Sequence, residues 1–292
     1  MFRRPGLVTR IALAAVTVTA AVTAAVPSPA MPTISAALTA SAAPAVADVA
    51  HRGASAYAPE NTVAAFELAA RQRADMFELD VQETADHKLV LMHDTTLART
   101  TDVEKVFPGR APWRVGDFTL AEIRRLDAGS WFSVDYRDEP VPTLGEVLDA
   151  MADKAPGLLL EVKEPRLYPG VEARVADELR DHPSWLSPGR LVVQSFDWNS
   201  MRTFHRLMPE VPIGLLGTPP IADLPKLAEY ADLINPPYGG LTRDYVRRVH
   251  SHGMGVLTWT VNDTAVARRL VSYGVDGIIT NRPDAMRQVV AR

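Results

Sequence analysis

From Asp48 onward the chain alternates short, apolar, β-branched runs with amphipathic stretches of helical period, and it does so for some 240 residues. Strands that alternate with helices pair in parallel, because each helix carries the chain back across the sheet. The strand-like runs are residues 48–51, 77–81, 89–93, 158–163, 191–195, 213–216, 232–235, 256–260 and 277–280. Helical spacing falls between most of them, at 62–72, 143–151, 171–180, 199–207, 242–251, 263–273 and 284–291. Nine strands are one more than an eight-stranded barrel needs. The surplus is explained by "ETADHK", six residues that are too few for a helical crossover, so 77–81 and 89–93 are expected to form a hairpin. A turn near Ala85 and Asp86 would set Glu78 opposite His93 and Asp80 opposite Leu91. With the return arm removed, the expected fold is α/β, a (β/α)8 TIM barrel. The stretch 94–142 is too long for a barrel loop and reads as a small inserted subdomain after the hairpin.

At 292 residues the chain suits one large barrel or two ordinary domains. Its 47% apolar and 23% charged content allows a substantial core without covalent staples. Cysteine is absent, which excludes disulfides, thiolate metal sites, thiol nucleophiles and lipidated cysteines. Residues 1–47 read differently from the rest. Arg3, Arg4 and Arg10 precede an uncharged stretch, 11–26, and a Pro/Ala/Ser/Thr region with no acid follows. A basic start, an apolar middle and small residues at the exit are the layout of a secretory signal peptide. A permanent anchor is the rival, but sixteen residues loaded with Ala and Thr are short and weakly apolar for a span of ~20. The expectation is a secreted or extracytoplasmic barrel, 48–292, with no stable membrane anchor once the signal is cut after Ala42 or Ala47. Losing three arginines and no acid moves the formal net charge from -4 to -7. So acidic a chain, without a basic patch, is not expected to bind nucleic acid.

A barrel of this kind keeps its chemistry at the C-terminal ends of its strands. Glu78 and Asp80 in "MFELDVQ" lie two apart on a strand and so point to one face; Glu161 and Lys163 in "LLLEVKEP" repeat the pattern. Charges projecting into an apolar interior are costly unless paired. A buried ion-pair network with Lys163 and Arg52 is one solution. Three carboxylates against two fixed cations leave a surplus, however, and hard oxygen ligands suit one divalent cation, Ca²⁺ or Mg²⁺. Export favours Ca²⁺ slightly. His51 and His93 end strands at the same mouth, where imidazole can take a proton and imidazolium can give one near neutral pH. Nearby carboxylates are expected to raise their pKa values. Arg52 offers a planar fork for phosphate oxygens, so "AHRG" pairs a proton-transfer group with a phosphate clamp.

The ordered motifs "HRG", "PENT", "ELDVQ-T-D", "HD-TL-RTT", "LDAGSWF", "PTL-EVL", "LEVK", "QSFDW", "TWTVN" and "GVDGIITN-P", from about residue 49 to 286, resemble the glycerophosphodiester phosphodiesterase family. The resemblance implies metal-dependent hydrolysis of deacylated phospholipids, a small-molecule substrate class, to glycerol 3-phosphate and an alcohol. It implies Glu78, Asp80 and Glu161 as metal ligands, His51 and His93 as the acid/base pair, Arg52 and Lys163 as phosphate-facing cations, and Trp259 as an aromatic at the glycerol side. Two departures, "ADHK" for the usual Asp-Gly at the hairpin turn and Asn281 where the family often has Asp, are expected to lie away from the catalytic groups. Asn61 most simply caps the following helix. Glu60 either orients Arg52 or is solvated, and Phe196 and Trp131 either line the pocket or pack.

Two other readings stand beside this one. A sphingomyelinase D-like phospholipase would use a similar barrel and histidine pair, and would want an apolar membrane-facing loop, for which Trp131, Phe132, Trp185 and Leu186 are candidates. A secreted binding protein would keep the barrel without turnover.

Overall fold

The computed structural model describes residues 46–290; the expected signal peptide therefore lies outside the described residues. Within them, nine strands run in chain order: β1 (Ala47–Ala50), β2 (Met76–Glu83), β3 (Leu89–Leu91), β4 (Gly157–Val162), β5 (Leu191–Ser195), β6 (Ile213–Leu216), β7 (Leu233–Asn235), β8 (Gly255–Thr258) and β9 (Gly277–Thr280). The helices are α1 (Val63–Arg71), α2 (Val103–Val106), α3 (Leu120–Ile123), α4 (Leu144–Ala150), α5 (Val171–Asp181), α6 (Trp198–Leu207), α7 (Leu224–Leu227), α8 (Arg243–His250), α9 (Thr264–Tyr273) and α10 (Pro283–Val290). The parallel strands follow the order β1-β9-β8-β7-β6-β5-β4-β2, and β1 pairs with β2 to close the ring. The fold is a (β/α)8 barrel, and no helix among the described residues is long and apolar enough to cross a membrane.

Side-chain alternation along the strands sorts the core. Phe77, Leu79 and Val81 of β2 and Leu158, Leu160 and Val162 of β4 point outward into the large core beneath the helices. Val49, Leu159, Leu257 and Ile279 form a separate cluster inside the ring. The inward positions further along β2 and β4 carry Glu78, Asp80, Gln82 and Glu161, all buried. The parallel register sets Asp80 beside Glu161, so the interior passes from an apolar layer to an acidic one within a few residues of strand.

β3 pairs antiparallel with β2 as expected, but one residue out of the expected register: Val81 faces Leu91 and Glu83 faces Leu89. The Met92 amide donates to the Asp80 carbonyl at 3.0 Å. The reason lies in the turn. Thr84 N–H donates to Lys88 O at 3.0 Å, leaving the three residues Ala85, Asp86 and His87 as the loop, centred on Asp86. His87 takes the left-handed conformation, φ 59°, which closes three-residue hairpins and usually goes to Gly.

Between β3 and α4 the chain builds a second small core from Val90, Met92, Leu97, Val103, Val115, Phe118, Ile123, Leu126 and their neighbours. Trp131, in this segment, packs edge-on against Phe132 at 5.7 Å and is 40% exposed. Trp185, taken above as a candidate for an apolar outer loop, is instead fully buried, its indole N–H donating to Leu148 O at 3.0 Å. A Trp whose flat body fills the space between helices, and whose polar atom finds a carbonyl there, has no reason to face a membrane.

Candidate active site

The mouth is built from the strand ends. β1 stops at Ala50, and His51, Arg52 and Gly53 turn the chain out of the sheet. Arg52 has φ 54° and Gly53 φ 81°; a Cβ on Gly53 would meet the Ala65 backbone at 2.6 Å. Only glycine permits α1 to pack this close to the turn. The turn in return aims the Arg52 backbone N–H at Glu78 Oε2, 2.8 Å away. Lys163 lies one residue past β4 and His93 two residues past β3.

His51, Arg52, Glu78, His93, Glu161 and Lys163 line one side of a cavity of about 130 Å³, faced by an apolar wall that includes Phe196, Leu216, Trp259 and Ile279. Asp80 sits just behind this surface and Glu60 behind Arg52, so all ten of the sequence-derived site residues gather at one mouth. Trp259 is fixed by its indole N–H to Asn235 O at 2.8 Å and meets the Phe196 ring edge-on at 5.7 Å.

Glu78, Asp80 and Glu161 each present an oxygen to a common point, the three atoms lying within 4.8 Å of one another. The fixed cations neutralise part of this charge. Arg52 Nε is 3.3 Å from Asp80, and Lys163 Nζ is 2.9 Å from Glu161 and 3.7 Å from Asp80. Glu78 is left with a backbone N–H and no cation at salt-bridge distance among the described residues. Burial, then the neighbouring Asp80 and Glu161, hold its carboxyl well above the usual range. Burial and Asp80 likewise push Glu161 to about 8, against the pull of Lys163. For Asp80 burial is outweighed by Arg52 and Lys163, and its carboxyl is held below the usual range. The ion-pair network expected as the structural alternative is therefore present but incomplete. Asp80 Oδ1 is buried without a hydrogen-bond partner, and a surplus of hard oxygens around one point fits a divalent cation. The triad could hold a metal ion.

The two histidines have different neighbours. His51 Nδ1 lies 2.7 Å from Asn281 Oδ1. An amide oxygen only accepts, so Nδ1 carries the hydrogen and Nε2 keeps its lone pair. Burial, then Arg52, lowers the His51 pKa to about 4; Asp80 and Glu60 act upward as expected, but burial and Arg52 outweigh them, so no net rise results. His93 Nδ1 lies 2.7 Å from the Asp94 carboxylate. Gln82, whose side-chain amide donates to the carbonyls of Met92 at 2.8 Å and His93 at 3.2 Å, pins that loop.

Four further residues belong to the arrangement. Asn281 was expected to lie away from the catalytic groups and instead contacts His51; β9 pairs with β1, so the residue that follows β9 arrives beside the one that follows β1. Asn61 does not cap α1. Thr62 does, accepting from Ala65 N, while Asn61 turns into the barrel with φ 58°. Its Nδ2 donates to Asp80 Oδ2 at 2.8 Å and its Oδ1 accepts from Asp80 N at 3.1 Å. Asp94 and Arg99 complete a clamp. Arg99 makes two bonds to Glu60, at 2.9 and 2.7 Å, and two to Asp94, at 2.7 and 3.0 Å. Glu60 in turn accepts from Arg52 at 2.9 Å, so Glu60 is the orienting acid rather than a solvated one. One signal was available for the clamp, the acid directly after His93 in "HDTTLART". For Asn61 and Asn281 no local signal existed, since their partners lie 19 and 230 residues away.

Acids, imidazoles and a guanidinium gathered at the C-terminal mouth of a (β/α)8 barrel define a barrel enzyme with a site suited to an anionic substrate. Comparison with known proteins makes the assignment specific. The chain matches the Glycerophosphoryl diester phosphodiesterase family over residues 51–285 and belongs to it. It is 39% identical over 258 residues to a glycerophosphodiester phosphodiesterase of Bacillus subtilis (strain 168), covering 82% of this chain and 85% of that one. Among solved structures it resembles a phosphodiesterase of Oleispira antarctica in complex with the product sn-glycerol-3-phosphate, with TM-score 0.76, 30% identity, and 84% and 96% of the two chains covered. It also resembles a glycerophosphodiester phosphodiesterase of Agrobacterium tumefaciens, with TM-score 0.67, 30% identity, and 82% and 98% covered.

Proposed function

We propose that the protein hydrolyses glycerophosphodiesters to glycerol 3-phosphate and an alcohol, with His51 and His93 as the proton-transfer pair and Glu78, Asp80 and Glu161 as ligands to one Ca²⁺ or Mg²⁺. The observation that carries this reading is the cluster of three buried carboxylates, two of them lining the cavity that also takes both imidazoles. The names of the relatives, and the sn-glycerol-3-phosphate held by the Oleispira antarctica enzyme, support it. When bound, the cation supplies Lewis-acid stabilisation of phosphoryl charge and lowers the pKa of a hydroxyl near it.

The chain's own residues do the rest. Arg52, held by Glu60, and Lys163, held by Glu161, present N–H groups to the non-bridging phosphate oxygens and offset charge that grows in the transition state. His51 is neutral and its free Nε2 takes the proton of the attacking hydroxyl: attack by water gives glycerol 3-phosphate directly, whereas attack by the glycerol 2-hydroxyl expels the alcohol and leaves a cyclic glycerol phosphate that water must then open to reach glycerol 3-phosphate. His93, oriented by Asp94, gives a proton to the departing alkoxide. Trp259 and Phe196 cover the carbon skeleton and keep that side of the phosphate dry. The layout of residues 1–47 supports export to an extracytoplasmic setting.

The test is product analysis with the purified protein and a glycerophosphodiester. Formation of glycerol 3-phosphate, and its loss in His51→Ala and His93→Ala by about 10² to 10⁴-fold each, agrees with the proposal. Full activity in either variant removes that histidine from the mechanism, and release of phosphoalcohol rather than glycerol 3-phosphate refutes the reaction.

A further inference from the structure

The apolar wall of the reactive cavity carries an amide. Gln194, near the end of β5, stands in register beside Glu161, which stands beside Asp80. Its side chain is therefore on the inner face of the barrel, in the layer of the carboxylates, and it lines the cavity together with Leu216 and Trp259. The residue is 1% exposed, so what its two polar atoms meet is decided by their immediate neighbours.

A chain of hydrogen bonds sets their direction. The Leu257 backbone N–H can only donate, and Asn235 Oδ1 accepts from it at 3.4 Å. Asn235 Nδ2 then points the other way, and it donates to Gln194 Oε1 at 2.7 Å. Gly214 on β6, between the two strands, leaves room for this bond: a Cβ there would lie 2.7 Å from Asn235 Nδ2 and 3.2 Å from Gln194 Cβ. With Oε1 taken, Gln194 Nε2 has no acceptor among the described residues, and its N–H groups are left for what fills the cavity. The Asn235 carbonyl also holds the Trp259 indole at 2.8 Å, so one buried residue places both the amide and the aromatic ring.

An uncharged donor suits an uncharged oxygen. Arg52 and Lys163 are matched to anionic oxygens, whereas a hydroxyl pressed against the Trp259 wall loses its water and needs a protein partner in exchange. The carbon-2 oxygen of a glycerol arm is the hydroxyl nearest the phosphate, and Gln194 lies in the same layer as Glu161. We infer that Gln194 donates a hydrogen bond to the carbon-2 oxygen of the glycerol arm, and that Asn235, which does not touch the substrate, sets the polarity of that donor. The inference rests on the phosphodiesterase reading and adds a specificity residue to it. A hydroxyl that accepts from Gln194 aims its own hydrogen away from that wall, which removes one unproductive orientation before reaction.

The test uses three competitive inhibitors of glycerophosphocholine hydrolysis: sn-glycerol 3-phosphate; dihydroxyacetone phosphate, whose carbon-2 oxygen only accepts; and 1,3-propanediol phosphate, which lacks that oxygen. In wild type the first two should bind about three- to tenfold tighter than the third, the range of one neutral hydrogen bond. Gln194→Met should lose both advantages while 1,3-propanediol phosphate binds as before, a pattern that a merely structural role would not produce. In Asn235→Asp the carboxylate accepts from both Leu257 N–H and Gln194 Nε2, so the amide turns and shows Oε1 to the cavity. Glycerol 3-phosphate, able to donate, should then keep most of its advantage, and dihydroxyacetone phosphate should lose its own. Unchanged advantages in Gln194→Met overturn the contact, and unchanged binding of dihydroxyacetone phosphate in Asn235→Asp overturns the role of Asn235. If Gln194→Met does not fold, the contrast between the two ligands in Asn235→Asp decides alone. Absence of turnover with every diester overturns the hydrolytic reading and this inference with it.

Discussion

His51 and His93 are the same residue type at the same mouth, yet they are held by partners of different charge. Asn281 is neutral, so it fixes the ring without drawing a proton to it, and burial keeps His51 uncharged at any pH above about 4. Replacing Asn281 by Leu removes the acceptor for Nδ1–H and frees the ring to take the other tautomer. We expect kcat to fall about 10- to 100-fold, a fraction of what loss of a general base costs, with KM changed far less. Asn281→Asp restores an acceptor but adds a charge that favours imidazolium, so its rate should return only as pH rises. Steady-state profiles of the two variants check this. Asn281 contributes a contact that depends on β9 lying beside β1, and residue-level reading along the chain had no access to it.

At the scale of elements, the β1–α1 turn and the segment after β3 are joined by a single guanidinium. Arg99 holds Glu60, which holds Arg52, and Asp94, which holds His93. Both orienting acids are kept below their ordinary carboxyl range, Asp94 to about 2, chiefly by the bond from Arg99. Arg99→Lys keeps the charge but cannot fork to two carboxylates. It should lower kcat by about 10² through misplacement of Arg52 and His93 together, while thermal stability changes little because the site is 43% exposed at Arg99. Double-mutant cycles with Glu60→Gln and Asp94→Asn should be strongly non-additive; additive losses would mean the two acids are oriented independently. Much of the element order was legible, because short apolar β-branched runs between stretches of helical period mark a parallel sheet whatever the tertiary contacts. The hairpin was legible too, from the shortness of "ETADHK". Its register was not, since that depended on His87 adopting a left-handed conformation, and the short α7 and the buried place of Trp185 had no periodic signature. The carboxylates were found by their spacing on strands, whereas the clamp that orients the histidines depends on loops meeting in space.

For the whole molecule, the excess of buried acid links folding to pH and to cations. Glu161 titrates near 8 in the folded chain and Glu78 is raised as well. The folded state thus holds protons that the unfolded state releases from about pH 4.5 upward. Stability from these groups falls as pH rises from about 4.5 through about 8, and levels off above. Asp48, buried on β1 and pushed to about 8 by burial and then Asp75, has the same sign but lies away from the mouth. His51 has the opposite sign, costing stability as pH falls from about 6.5 to about 4. Between pH 6.5 and 8 the metal-free protein should therefore lose roughly 1–2 kcal/mol for each carboxyl that titrates near 8, read as a falling Tm. Saturating divalent cation should remove most of that slope and leave the part due to Asp48. A slope unaffected by any divalent ion would place the titrating groups elsewhere.

The most direct measurement is release of glycerol 3-phosphate from a glycerophosphodiester by chelated protein, with Ca²⁺ or Mg²⁺ added back, alongside Glu78→Gln. Full activity should return as one ion binds per wild-type chain, and Glu78→Gln should recover neither tight binding nor turnover. Undiminished hydrolysis in chelator, or wild-type behaviour from Glu78→Gln, would contradict the account.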